Sequence, residues 1–231
     1  YLGKKYGGWY PAVQQYLRPD GKKWIGLGLG ASGSMIVYRK SMIEAAGFKE
    51  FPKDTAGFLA LHKALKDKGT PGGYALGNAT GDSLWTNWLM WSHGGQLVDK
   101  DNKVVINSPE TLKALEYGKQ LYPNFIPGTL SWLDPNNNKA FLDGQISVTN
   151  NGISIYYAAK NSQDPKIKEL AADIYHASFP VGPAGVPTES HLFFNQMVMK
   201  YTKYPNAAKE FLRFMMEREQ FDAWLIGAGG Y

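Results

Sequence analysis

The sequence predicts an α/β architecture, and three observations carry that prediction. Short apolar runs rich in β-branched residues alternate with amphipathic segments of helical period, the pattern of helices layered on a sheet rather than of a bundle or sandwich. Capping residues open the amphipathic segments and glycine or proline closes them. The chain has 231 residues, 44% of them hydrophobic, ample apolar surface for one large core or two small ones.

The elements follow in order. Residues 34–38, Ser-Met-Ile-Val-Tyr, predict a strand, followed by a short helix through Ala45 and Ala46 that Gly47 stops. Asp54 caps a helix whose stripe is Phe58, Leu61 and Leu65, with Gly69 and Pro71 beyond it. A helix carrying Trp85, Trp88 and Trp91 runs to the Gly94-Gly95 stop. A turn at Asp101-Asn102 joins 96–98 to 103–106 as a hairpin. Ser108 caps the next helix, with Pro109 at its first position and Glu110 in the positive end of the dipole. Phe141 and Leu142 end a helix, Asp143-Gly144 turns, and 145–149 enters as a strand that halts at Asn150-Asn151-Gly152. Residues 172–180 alternate like a further strand. The proline- and glycine-rich loop over 181–190 reads as an interdomain crossing. Residues 206–216 form an amphipathic helix with Ala208, Phe211, Leu212 and Met215 on one face.

Composition excludes several classes of function. The 25 basic and 20 acidic residues give a net charge of +5 but are scattered, so no nucleic-acid arm is present and the charge reads as solvated surface. The absence of cysteine removes disulfides, thiolate metal sites and cysteine nucleophiles. No apolar run approaches the roughly 20 residues that cross a bilayer as a helix. The four histidines, His62, His93, His176 and His191, show no metal-ligand spacing. Nucleophile-elbow, P-loop and dinucleotide motifs are missing, the glycines at 26, 28 and 30 being wrongly spaced for the last.

The candidate site lies between 77 and 98. There a polar, glycine-broken loop containing Asp82 delivers into the tryptophan-bearing helix. Carboxylates and amides exchange hydrogen bonds with hydroxyls, and indole faces stack on the C–H face of a sugar ring, so the combination suits a polyhydroxylated ligand. Spacing of three also fits a core-facing stripe. Position separates the two readings: Trp85 sits in the first turn, where it faces a cleft, and Trp91 lies deeper as core. The strand end at Asn150-Asn151-Gly152 adds amides where ligands of open α/β sheets bind.

The order of these elements resembles the extracellular solute-binding proteins of ABC importers, in the carbohydrate-binding group that includes maltodextrin-binding protein. The resemblance rests on 20–26 (Asp-Gly-Lys-Lys-Trp-Ile-Gly), Tyr38-Arg39-Lys40, Gly94-Gly95-Gln96-Leu97-Val98-Asp99, Asn107-Ser108-Pro109-Glu110, 141–147 leading to Asn151-Gly152, and 207–212. It implies a periplasmic-binding-protein-like type II fold, a periplasmic or extracellular location, no cofactor and no catalysis. The implied molecule has two lobes that close on a sugar or polyol and pass it to a membrane permease. It places Asp82, Trp85 and Trp88 on the ligand, with Trp132, Asn150, Asn151, Ser32 and Ser34 bordering it. Where maltodextrin binders follow Asn-Gly with Pro-Trp, this chain has Ile153-Ser154, which removes a stacking ring.

Against the family's usual length, the chain reads as one nearly complete lobe over 30–181, flanked by pieces of the second lobe over 1–29 and 182–231. The apolar faces around Phe193, Phe194, Phe211 and Met215 are then expected to seek self-association or a partner fragment, or to leave the ends disordered. Two alternatives accompany this reading. A ferric-ion binder of the same superfamily would use the adjacent Tyr156 and Tyr157, since phenolates are hard oxygen donors. A glycoside-processing enzyme would draw on Asp82, Asp134 and Asp143.

Overall fold

The computed structural model describes residues 1–78 and 84–228, and it divides into two units, one of Tyr1–Ser32 with His191–Tyr231 and one of Gly33–Ser190. In the first unit lie helices α1 (Leu2–Tyr6) and α2 (Pro11–Leu17) and strand β1 (Leu27–Gly33, whose last residue belongs to the second unit). The second unit continues with β2 (Met35–Arg39), α3 (Lys40–Ala45), α4 (Thr55–Asp67), α5 (Trp85–Ser92), α6 (Pro109–Leu121) and α7 (Asp134–Leu142). It ends with β3 (Val148–Asn151), α8 (Ser154–Lys160), α9 (Pro165–Leu170) and β4 (Ile174–Ala177). The chain then returns to the first unit with β5 (His191–Gln196), α10 (Pro205–Met215) and α11 (Arg218–Gly227).

The second unit is built on a sheet of order β3-β2-β4, with β2 antiparallel to both neighbours. Parallel bridges from Gly72 to Val148 and to Phe125 carry the sheet on past β3 through an extended segment at 72–77. Neighbouring residues of a strand point to opposite faces, and Ile36 and Val37 are both fully buried, so both faces of the sheet are covered. Ile36 joins a cluster with Phe58, Leu61 and Leu65 of α4, Trp85 and Trp88 of α5, and Phe179. On the other face Val37 joins Phe141 of α7, Ile155 of α8 and Ile146. This is the α/β layering that the sequence pattern predicts.

Local signals fix most of the helix ends. Asp54 accepts from the Gly57 N–H at 2.7 Å and Ser108 from the Thr111 N–H at 3.2 Å, the two caps expected. Gly144 (φ 75°) and Gly94 (φ 88°) take the left-handed conformation that ends α7 and α5. Strand ends shift where tertiary bonds intervene. The segment at 145–147 does not pair as β strand, and Ser147 instead donates from its N–H to Pro71 O (3.0 Å) and from its hydroxyl to Thr70 O (2.6 Å). The expected hairpin reduces to one antiparallel bridge, Val98 to Val104, closed by Asp99 and by Asn102 at φ 62°.

Gly182 packs on Ser92 and the Ala184 N–H donates to Ser92 O, while the Ser34 N–H donates to Ser190 O. These bonds keep 182–190 with the second unit, so its bounds fall at 33 and 190 where the sequence suggests 30 and 181. The first unit contains a two-stranded sheet, β1 with β5. Helix α10 forms where its periodicity predicts, yet Phe211 and Phe214 on it stay 58% and 52% exposed.

Candidate functional site

The segment at 72–77 and strand β3 run parallel, so both end at the same edge of the second unit's sheet. Carboxyl ends of parallel strands are where α/β sheets hold ligands. Met35 faces Asn151 across the ladder, which places Ser34 one residue beyond that pair, at the same edge. Trp132 arrives there because its carbonyl accepts from the Gly77 N–H at 2.9 Å and its ring lies against Gly73, where an added Cβ would fall 2.9 Å from it. Asn150, Asn151 and Ser34 thus end at one sheet edge, while the Trp132 ring packs with Ile126 and Ile146 on the Val37 face, opposite to the face that the Ile36–Asn150 pair shares; all four residues are half-buried. Asp82 lies outside the described residues.

These groups differ in what they leave available. The Trp132 indole N–H makes no hydrogen bond to the protein among the described residues, and its ring is partly open. Asn151 is committed internally. Its Oδ1 accepts from the Gly152 N–H (2.7 Å) and the Ser154 hydroxyl (3.0 Å), and its Nδ2 donates to Asn138 Oδ1. Among the described residues the side chain of Asn150 has no hydrogen-bond partner, and its Oδ1 is buried. On β4, beyond β2, burial pushes the His176 imidazole below its ordinary value. The amides and hydroxyl at this edge are neutral groups able to exchange hydrogen bonds with hydroxyls, and the partly open indole of Trp132 on the Val37 face has a surface that can stack on a ring.

Two expected ligand residues are corrected. Trp85 and Trp88 are 3% and 1% exposed, and their indole N–H groups donate to Ala75 O and Pro180 O, each at 2.8 Å. Trp88 stacks on Phe179 with ring centres 5.0 Å apart, and Trp85 lies 5.0 Å from Tyr74. With face and N–H both spent inside the protein, these rings are core and offer no floor to a ligand. Trp91, expected as core, is instead half-buried. A surface groove of about 560 Å³ runs between α5 and α6, lined by Leu89, Met90, Leu115 and Leu130, and its apolar walls do not match a polyol.

Among the described residues neither alternative chemistry finds an assembled site. Tyr156 packs on the smaller core cluster, and the Lys160 ammonium lies 5.7 and 5.9 Å from the Tyr156 and Tyr157 ring centres, a cation where a ferric ion would need anionic donors. Among the described residues no group of three or more His, Cys, Asp or Glu side chains could hold a metal. Asp143 is paired with Lys139 at 2.6 Å, and Asp134 sits exposed at the start of α7. Sequence reasoning missed Asn137 and Asn138. Three consecutive asparagines, 136–138, in the first turns of a helix are poor helix formers, and that run is the signal that they serve another purpose.

Comparison with known proteins gives the family and the fold. Over residues 1–231 the sequence matches the family described as bacterial extracellular solute-binding protein. The chain belongs to that family. Among relatives of this solute-binding family, YcjN of Escherichia coli strain K12, named for an ABC transporter periplasmic-binding protein, is 25% identical over 97% of this chain and 51% of its own length. An ABC transporter-binding protein of Deinococcus radiodurans is 23% identical over 89% of this chain and 50% of its own. The chain spans about half the length of the curated relatives it matches. Solved structures share the fold: maltose-bound MalE3 of T. maritima superimposes with a TM-score of 0.79 at 20% identity, covering 95% of this chain and 57% of that one. A solute-binding protein of Agrobacterium radiobacter K84 in complex with ribitol gives 0.77 at 21% identity, over 96% and 56%. Another from Agrobacterium vitis S4 with bound D-mannitol gives 0.75 at 19%, over 91% and 52%. These likenesses fix the periplasmic-binding-protein-like fold, and the described helices include none long and apolar enough to cross a membrane.

Proposed function

We propose that this chain carries the ligand-holding edge of a protein that binds a sugar or sugar-like polyol outside the cytoplasmic membrane and delivers it to an ABC importer. The observation that carries the reading is the sheet edge itself, where Asn150 keeps its side-chain amide without a partner among the described residues beside Asn151 and Ser34, with the partly open Trp132 ring on the other face of the same sheet. Neutral amides and a partly open indole complement a neutral polyhydroxylated molecule. Each good hydrogen bond contributes about 0.5 to 1.5 kcal/mol net, and the indole adds ring-face contact. Solved neighbours of the same fold hold maltose, ribitol and D-mannitol, which supports that ligand class. Loop residue Asp82 is proposed as a further hydroxyl partner because it follows Gly77 by five residues in the sequence. The role is binding and delivery without turnover, as for the solute-binding relatives, and the partner is a membrane permease.

The first unit, 1–32 with 191–231, is proposed as part of a second lobe whose open apolar face takes up either further chain of the same kind or a second copy. Only Leu2 and Leu17 are buried among its described residues, which supports that assignment.

Intrinsic tryptophan fluorescence titrated with D-mannitol, ribitol and maltose tests the ligand class. A saturable change that Trp132→Ala weakens about tenfold, close to 1.4 kcal/mol, is the expected result. Saturation unaffected by both Trp132→Ala and Asn150→Ala would move the ligand away from this edge. Silence toward all three compounds would remove these sugars and polyols from the proposal.

A further inference from the structure

Asn137 of α7 is 4% exposed, and its Nδ2 spends both hydrogens on the end of β3. One goes to the Thr149 hydroxyl at 3.2 Å and the other to the Asn150 carbonyl at 2.8 Å. Because a carbonyl only accepts, the bond to Asn150 O fixes which end of the amide is nitrogen, and Oδ1 of Asn137 is left buried with no partner. The Asn150 Oδ1 is likewise buried and unpartnered. Buried acceptors without donors cost about 1 to 3 kcal/mol each, so an amide serving stability alone would give way here to an apolar side chain. The next residue of the helix repeats the arrangement: Asn138 Oδ1 accepts from Asn151 Nδ2, and Asn151 in turn holds Gly152 and Ser154.

We infer that Asn137 is a positioning residue for solute binding. It grips the Thr149 hydroxyl and the Asn150 carbonyl and so sets the direction in which Asn150 presents its amide at the sheet edge. Asn138 does the same for the Asn151 turn. Helix α7 thereby transmits its own rigid placement, packed through Ala140 and Phe141 into the smaller core cluster, to the amides at the strand end. The inference rests on the sugar or polyol reading of this edge for its binding effect and on the bonds above for its structural one.

A double-mutant cycle on the full chain tests it, with D-mannitol, ribitol and maltose as probes and thermal melting as the control for folding. Asn137→Ala and Asn150→Ala are each expected to weaken binding about tenfold. The double variant is expected to be no weaker than Asn150→Ala alone, since a residue that acts only through another has nothing left to act on. A hundredfold loss in the double variant overturns the inference, as does full affinity in Asn137→Ala beside a loss in Asn150→Ala. Full affinity in Asn150→Ala overturns it too, while leaving a solute-binding role intact. Should Asn137→Ala fail to fold, Asn137→Ser keeps a donor at that place and carries the same cycle. If none of the three probes binds the native chain, the ligand reading fails by itself. The positioning is then decided by ¹⁵N spectra, where movement of the Asn150 side-chain amide signals in the Asn137 variant supports it and unchanged signals overturn it.

Discussion

The two units of this chain are made from similar residues and reach different ends. In the second unit, apolar residues from α4, α5, α7 and α8 close over both faces of one sheet, and Phe58, Leu61, Leu65, Trp88 and Phe141 are 0 to 1% exposed. In the first, α10 has as regular an apolar stripe as any helix here, yet no residue of α10 or α11 is buried. Capping differs in the same direction. Side chains of Asp54, Ser108 and Asp164 cap α4, α6 and α9, whereas none of the four helices of the first unit has a side-chain cap. What ties α1 to α11 is a polar contact, Glu217 accepting from Lys5 and from the Tyr6 hydroxyl at 2.5 Å each. An amphipathic stripe makes a helix ready to pack, and only a covered opposite surface turns that readiness into stability.

The contrast can be broken most forcefully in the larger core. Trp88→Ala removes a ring stacked on Phe179 and a hydrogen bond to Pro180, and is expected to cost about 3 to 5 kcal/mol. A chemical denaturation midpoint reads this directly, and a loss below about 1 kcal/mol would show that the ring is not held as described.

Acid should separate the units by pH. His62 is fully buried, its Nδ1–H donating to Phe58 O and its Nε2 accepting from the Tyr74 hydroxyl, and burial lowers its pKa from 6.5 to about 4. Below pH 6.5 the unfolded imidazole binds a proton that the folded one refuses. The second unit is therefore expected to lose stability as pH falls from 6.5 to 4, on the order of 3 kcal/mol, with no further loss from this residue below that. The difference between melting curves of native chain and His62→Leu isolates the effect, and parallel curves would refute it. In the first unit the Lys5 and Tyr6 hydrogen bonds lower Glu217 from 4.5 to about 2. Its contribution is present above pH 4.5 and fades as pH falls toward 2, and at this solvated site it should weaken in salt. Hydrogen exchange of α1 and α11 at two ionic strengths would detect it.

Smaller changes sharpen the comparison. Ser108→Ala removes the cap of α6 and is expected to cost about 1 kcal/mol of thermal or denaturant stability. Phe211→Ser, on the open face of α10, is expected to change the folding stability of this chain by less than about 0.5 kcal/mol. The same substitution should reduce any concentration-dependent association seen by sedimentation, and a large destabilisation would mean that Phe211 already packs inside the chain.

Much of the fold was legible because its signals are local. Asp54 and Ser108 cap the N–H groups three residues on, and Gly94 and Gly144 end helices by their own backbone freedom. The candidate edge was legible in part: Asn150 follows a β-branched run that can only end there, and Ser34 begins the run that pairs with it. The tryptophans were not. Trp85, Trp88 and Trp91 share one helical spacing, and nothing within their segment says which of them meets Ala75 or Pro180.

By itself, then, the sequence determined where helices start and stop, that they alternate with strands, and that amides and a tryptophan-rich helix flank a polar loop. Tertiary structure alone decided that Trp85 and Trp88 are core, that Asn150, Asn151 and Ser34 share an edge, and that Asn137 holds the strand end on which Asn150 sits. The physical reason is range. A cap or a glycine stop is satisfied within one turn of the chain, whereas the bond that buries Trp88 spans 92 residues and exists only once the sheet has brought its partner alongside.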